Sequence, residues 1–252
     1  MRLPIPPRWT RRARSSRSSS ASADRARFVA QIRRHAAAPG QFGLDLPHNP
    51  RIRRAAGGTG DFVEAPSQML EEFCHDYGVL SSFARHYQTG EVLPRELFAR
   101  MNRADAYGRA SGQQRQLMYT SVSLDFHTLT PATLDFDAAY RRDFERFNSA
   151  AFMPGDHFWA SFTHLNGYSS NYYTYVLDKA IALDFFAQFD ARNLLGGPAG
   201  MRYRQAVLAP GSTRPAAELA RDFLGREPNL DAYRRWMLAE FDAEAKSSSA
   251  AR

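Results

Sequence analysis

Two short stretches carry side chains that could do chemistry. In DFVEAPSQML, Asp61 and Glu64 stand three residues apart ahead of an apolar run. That spacing suits a capping box, with Asp61 accepting backbone N–H bonds at a helix start and Glu64 reaching back to it. In HLNGYSSNYYTYVLDKAIALDFFAQF, Tyr168, Tyr172 and Tyr175 follow at steps of four and three, after a turn containing His164, Asn166 and Gly167. Such steps place three phenols on one face of a helix. Aromatic stripes commonly belong to cores. Yet each buried hydroxyl needs its own partner, so tyrosine where Phe or Leu would pack equally well points to a use for the O–H groups. Phenols aimed at developing negative charge can stabilise an oxyanion.

Helices must carry these residues. Across SQMLEEFCHDYGVLSSFARHY, Met69, Phe73, Tyr77 and Leu80 recur at steps of four, four and three, with Glu71, Glu72 and Asp76 off that line. The pattern predicts one amphipathic helix of about five turns. Further helices are predicted over 94–107, 111–123, 133–147, 169–189, 200–208, 214–223 and 230–241. They are punctuated by Pro, Gly and Asn in TGEVLP, MPGD, LGGPAG, APGSTRP and GREPN. Strand-like alternation is confined to HFWASFTH, where a short strand is expected. The expected fold class is therefore all-α.

Charge divides the chain. Its 252 residues carry 33 basic and 26 acidic side chains, a net charge of +7. Residues 1–60 hold 13 Arg, no Lys, and only Asp24 and Asp45 as acids, a balance of +11, while the remainder holds 20 basic and 24 acidic residues. Pro/Gly-broken, Arg- and Ser-rich text of this kind reads as a disordered basic arm. With two lysines against 31 arginines overall, it also has the texture of GC-rich DNA read out of frame. A basic arm could bind nucleic acid, but this one lacks the interleaved aromatics of single-strand binders and any recognition helix, so nucleic acid is not the expected partner. No run of 18 apolar residues occurs, so no membrane-spanning helix is expected. The one cysteine, Cys74, allows no intrachain disulfide, which favours a reducing compartment such as the cytoplasm. The resulting division is an arm over 1–60, a helical body over 61–243 and a disordered tail over 244–252.

The motifs DFVEAPSQMLEEF, HLNGYSSNYYTYVLDKAIALDFFAQF and YRQAVLAPGSTRPAAELARDFLGREPNLDAY, in that order, resemble the C-terminal part of the catalytic domain in the thimet oligopeptidase family of zinc metallopeptidases, peptidase family M3. The resemblance covers about residues 61–241. It implies a zincin-type catalytic domain whose zinc is held by two histidines of an HExxH helix and by a glutamate in the segment matching DFVEAPSQ, here Glu64. It also implies that Tyr175 and Tyr168 donate hydroxyl bonds to the tetrahedral intermediate, that His164, Tyr172 and Gly167 bind substrate, and that short peptides are the substrates.

The HExxH motif itself is absent from the chain. That motif supplies two histidine ligands on one helical face and the glutamate that activates water. Upstream of Glu64, at the family spacing, stands RRHAAAPG, where His35 has neither a glutamate nor a second histidine after it and Pro39 would break a helix. His48, His75, His86, His127 and His157 show no ligand spacing and read as surface or packing residues. The expectation is a fragment of a zinc-dependent metalloendopeptidase, inactive alone. The alternative is a non-catalytic peptide-binding or regulatory module that pairs with the missing N-terminal part or with an intact relative.

Overall fold

The computed structural model describes residues 62–239. The predicted arm and tail lie outside the described residues, as does Asp61. Helix α1 spans Ala65–Glu72 and α2 Tyr77–Phe83; α3 is Arg95–Ala106, α4 Arg109–Thr128 and α5 Phe136–Phe147. A four-residue helix α6, His164–Gly167, precedes α7, Thr174–Phe186. Then come α8, Ala199–Tyr203, continued by a π-helical turn Arg204–Leu208, α9, Ala216–Leu224, and α10 over 231–239. No strand forms among the described residues, where a single antiparallel bridge joins Arg85 to Val92. The all-α expectation holds.

The long helix predicted over 67–87 is two helices. After α1 the chain tightens into a 3-10 turn, Phe73–His75, and leaves helical geometry at Asp76 (φ −106°, ψ 129°), whose Oδ1 accepts the N–H of Val79 at 2.8 Å. Asp76 is thus an N-cap and not a polar-face residue. The break has a packing reason. Phe73 meets Phe186 and Phe189 edge-on, with ring centroids 5.2 Å apart in both pairs, whereas Tyr77 packs on Phe98 at 5.4 Å. One straight helix could not serve both neighbours. The strand expected near HFWASFTH is a 3-10 turn, Phe158–Ser161, which turns its rings into the aromatic cluster described below.

Two apolar clusters flank the helical body. In the first, Ala65 and Met69 of α1 pack against Ala182 and Phe185 of α7, with Tyr203, Val207 and the buried face of α9 (Leu219, Ala220, Phe223) closing over them. Gly225 ends α9 in left-handed geometry (φ 70°), where a side chain would be strained. In the second, Met118 and Val122 of α4, Tyr140 of α5, Phe162 and Tyr172 form the centre. Helix α7 is the bridge: its body belongs to the first cluster and the residues before its start belong to the second. No helix among the described residues is long and apolar enough to cross a membrane.

Candidate functional site

Glu64 occupies the N-cap position of α1 (φ −96°, ψ −10°), and its side chain makes no capping bond. It is held by other groups. Its backbone N–H donates to Oδ2 of Asp178 at 2.8 Å, from the second turn of α7. The Tyr168 hydroxyl donates to Oε1 at 2.7 Å, and Ser67 Oγ lies 2.9 Å from Oε2 and 3.0 Å from the Glu64 carbonyl oxygen. The carboxylate therefore faces the tyrosine turn and does not reach back as a capping box would require.

The tyrosines reach one place by a different route from a shared helical face. Tyr168 is the C-cap of α6, its N–H bonded to the His164 carbonyl at 2.8 Å. Ser169 then adopts φ 49°, left-handed geometry that costs a non-glycine residue roughly 1 kcal/mol or more. The Ser169 carbonyl accepts a hydrogen bond from Ser123 Oγ of α4, which holds the reversal. Tyr172 lies in the next turn, and Tyr175 in the first turn of α7. Ring centroids are 5.1 Å apart for Tyr168 and Tyr175 and 4.8 Å for Tyr172 and Tyr175. The His164 ring is 5.7, 5.4 and 5.8 Å from those of Tyr168, Tyr172 and Tyr175. Glu64, His164, Tyr168, Tyr172 and Tyr175 thus converge, although 104 positions separate Glu64 from Tyr168. Gly167 stands at the exposed edge, where an added Cβ would meet no atom within 4 Å.

The phenols are poised to donate. Burial, followed by the hydrogen bonds to Tyr175 and Glu64, pushes the Tyr168 hydroxyl above its ordinary ionisation range. Burial also pushes Tyr172 up, helped by neighbouring Tyr175 and Tyr119. Both stay neutral O–H groups at any physiological pH. Tyr172, buried, donates to Oε1 of Gln116 on α4 at 3.1 Å. Gln68 Nε2 donates to the Tyr175 carbonyl at 3.2 Å, tying α1 to the first turn of α7.

The donor set does not fit a catalytic zinc, which takes three protein ligands and an open position. Among the described residues no group of three or more His, Cys, Asp and Glu is placed to hold a metal ion. Other histidines are engaged locally: His127 Nδ1 lies 2.7 Å from the Ser123 carbonyl and His157 Nδ1 2.7 Å from Asp137. His35 lies outside the described residues.

Sequence reasoning missed Ser67, Gln68, Gln116, Thr174 and Asp178. Ser67 and Gln68 follow Glu64 by one helical turn, and Thr174 and Asp178 are one turn apart on α7, so local spacing could have flagged each pair. Nothing local marks Gln116, which meets Tyr172 across 56 positions.

The family model described as peptidase family M3 matches residues 51–238, which takes in the last residues of the stretch that composition assigns to the arm. The chain is 29% identical over 184 residues to mitochondrial intermediate peptidase of Homo sapiens, covering 73% of this chain and 26% of that protein. It is 33% identical over 180 residues to organellar oligopeptidase A, chloroplastic/mitochondrial, of Arabidopsis thaliana, covering 67% and 22%. Against oligopeptidase A of Escherichia coli the figures are 29% over 204 residues, 76% and 30%. The chain thus spans only about a quarter of the length of the curated relatives it matches.

Proposed function

Because the chain belongs to peptidase family M3, we propose that it is part of a zinc metalloendopeptidase catalytic domain acting on short peptides, with Glu64 as its one metal ligand. The observation that carries this reading is the 2.7 Å bond between Tyr168 and Glu64 at the centre of the His164, Tyr172 and Tyr175 rings. It puts a carboxylate and neutral hydroxyl donors at one spot. Peptide hydrolysis builds negative charge on the attacked carbonyl oxygen, and phenol O–H groups aimed at it can stabilise that charge. Tyr175 and Tyr168 take that role. His164 and Tyr172 orient the peptide backbone, and Gly167 leaves room for it at the open edge.

The chain has no HExxH sequence, so alone it supplies neither the histidine ligands nor the base. It therefore binds peptides without cleaving them until a partner, the N-terminal part of such an enzyme or an intact relative, completes the site. The body over 61–243 is the peptidase part; of the arm over 1–60, residues 51–60 fall within the family match, so only the stretch before residue 51 is read as foreign to it. The cytoplasm is the proposed location, with neither membrane nor nucleic acid as partner. The second reading, a peptide-binding or regulatory module, is favoured by one observation: the tyrosine turn is assembled by bonds within this chain, from Tyr172 to Gln116 and from Ser123 to the Ser169 carbonyl.

Peptide titration and a zinc-supplemented cleavage assay on the full chain test both. Saturable peptide binding that weakens in Tyr168→Phe and Tyr175→Phe, without turnover, is expected. Stoichiometric tight zinc with turnover would overturn the claim that the chain is inert alone, and absence of any peptide binding would overturn both readings.

A further inference from the structure

The part of the site that neither the family motif nor the tyrosine turn accounts for is the way Glu64 is held from behind. Asp178 is fully buried, and its Oδ2 accepts two hydrogen bonds, from the Glu64 N–H at 2.8 Å and from Thr174 Oγ1 at 2.9 Å. Thr174 is itself fully buried, so its hydroxyl proton is directed at the same oxygen with no solvent to compete. A carboxyl oxygen that accepts two hydrogen bonds away from water holds both donors firmly, because either donor would otherwise be left buried and unpaired.

We infer that Asp178, oriented by Thr174, is the positioning residue for Glu64: it pins the Glu64 backbone to α7 so that the carboxylate meets Tyr168 and the tyrosine turn.

The geometry separates this role from plain structural support. Helices α1 and α7 are joined independently of Asp178, by the ion pair between Lys179 and Glu72, by the Gln68 bond to the Tyr175 carbonyl at 3.2 Å, and by the packing of Ala65 and Met69 on Ala182 and Phe185. Those contacts lie further along α1, toward its C-terminal end, than the residue that matters. Glu64 precedes the first helical residue, in the one position where the helix has no side-chain cap. Without Asp178, the Glu64 carbonyl keeps the Gln68 N–H at 2.9 Å and the Ser67 hydroxyl on the α1 side, but the Glu64 N–H loses its acceptor. Loss of Asp178 thus frees the Glu64 backbone while the helices stay docked. Tyr168 gains as well, because its acceptor, Oε1 of Glu64, stays in place only while the backbone behind it does. The purpose assigned to Glu64 rests on the proposed function above; the clamp does not.

Hydrogen exchange and carboxyl carbon NMR on the full chain, with neither metal nor peptide added, test the clamp. In Asp178→Ala the Glu64 amide is expected to exchange roughly ten- to hundred-fold faster, the range set by leaving a buried donor without its acceptor. The Glu64 carboxyl resonance should shift as Tyr168 lets go, while the α7 amides around Phe185 keep their protection. Asp178→Asn retains an oxygen that can accept from Glu64 and should restore most of the protection and the resonance. Should Asp178→Ala fail to fold, Thr174→Val removes only the orienting hydroxyl and is expected to give a smaller change of the same sign. An unchanged Glu64 amide in a folded Asp178→Ala or Thr174→Val chain would overturn the inference. So would equal loss of protection throughout α1 and α7, or no rescue by Asp178→Asn. Failure of peptide binding with the clamp intact would strike the proposed function alone.

Discussion

The two apolar clusters solve the same problem in opposite ways. Around Phe185 and Phe223 the rings are mostly phenylalanines, packed edge-on at 5.1 Å, and the enclosed phenol Tyr203 has no hydrogen-bond partner for its hydroxyl among the described residues. Around Tyr172 three phenols have an acceptor: Tyr172 has Gln116, Tyr140 has Asp156 at 2.9 Å, and Tyr168 has Glu64. The buried acids reverse the pattern. Asp184, beside the first cluster, takes both guanidinium nitrogens of Arg226, at 2.8 and 2.6 Å, and the Asn229 N–H at 3.0 Å. Asp143, beside the second, has Arg142 at 3.6 Å and leaves Oδ2 without a hydrogen bond among the described residues. Among the described residues, the first region satisfies its acid and leaves a phenol unpaired; the second pairs Tyr140, Tyr168 and Tyr172 and leaves an acid partly unpaired. Paired phenols mark the region arranged for use.

The sharpest way to break this contrast is to empty each cluster. Phe185→Ala removes a fully buried ring from the first and should cost about 3–5 kcal/mol, the range for large aromatic deletions in packed cores. Urea unfolding measures it. The glutamate and the tyrosine turn both hang on α7, so binding should be lost with the fold. An equally large cost on deleting Phe162, from the second cluster, would erase the distinction between a stabilising region and a working one.

Next in size is the pair beside the first cluster. Arg226→Ala leaves the Asp184 carboxylate enclosed with the Asn229 N–H as its remaining described partner, and a loss of about 2–3 kcal/mol is expected, below the full cost of breaking a buried pair because Arg226 is partly solvent-exposed. Asp143 should behave in the opposite sense. Burial first, then the Asp125 charge, raises its carboxyl above the ordinary range, against the opposing pull of Arg142, Ser121 and Arg146. A raised acid binds its proton more tightly in the folded chain, so folding stability should fall as pH rises from the ordinary carboxylate value through the raised one, and then level off. Asp143→Asn should therefore gain about 1 kcal/mol at neutral pH and lose that gain in acid. Denaturation at several pH values reads both, and a flat Asp143→Asn difference would remove the acid from the comparison.

What the chain declares locally and what it hides follow the same division. Helices such as Arg95–Ala106 and Ala216–Leu224 fall within two residues of their predicted ends, because Pro and Gly bound them and their apolar faces repeat cleanly. The break at Asp76 was hidden by an apolar line that stays regular in sequence while serving two neighbours in space. The π turn after Tyr203 was hidden because an extra residue per turn leaves no mark on an apolar periodicity. In the site, the tyrosine spacing suggested one helical face; the structure makes the cluster through a reversal at Ser169, so the spacing led to the right neighbours by a different path. The Glu64–Tyr168 bond and the Asp178 clamp join residues more than a hundred positions apart. Only the topology of α1 on α7 reveals them.

The smallest effect tests the comparison most directly. Tyr203→Phe deletes a hydroxyl that burial keeps neutral and that lacks a partner among the described residues, so it should be neutral or stabilise the chain by up to about 1 kcal/mol, since an enclosed unpaired donor is a cost that the ring alone does not carry. Tyr172→Phe removes a buried hydroxyl of the same kind, yet it abandons Gln116 and should destabilise by about 1 kcal/mol. The two substitutions are chemically identical and differ only in whether the hydroxyl was bonded. Melting temperatures of opposite sign would establish that the phenols of the second cluster are held in place by their partners. Equal shifts would mean that Tyr172 is packing material like its counterpart, and that the convergence of the tyrosine turn on Glu64 owes nothing to its hydrogen bonds.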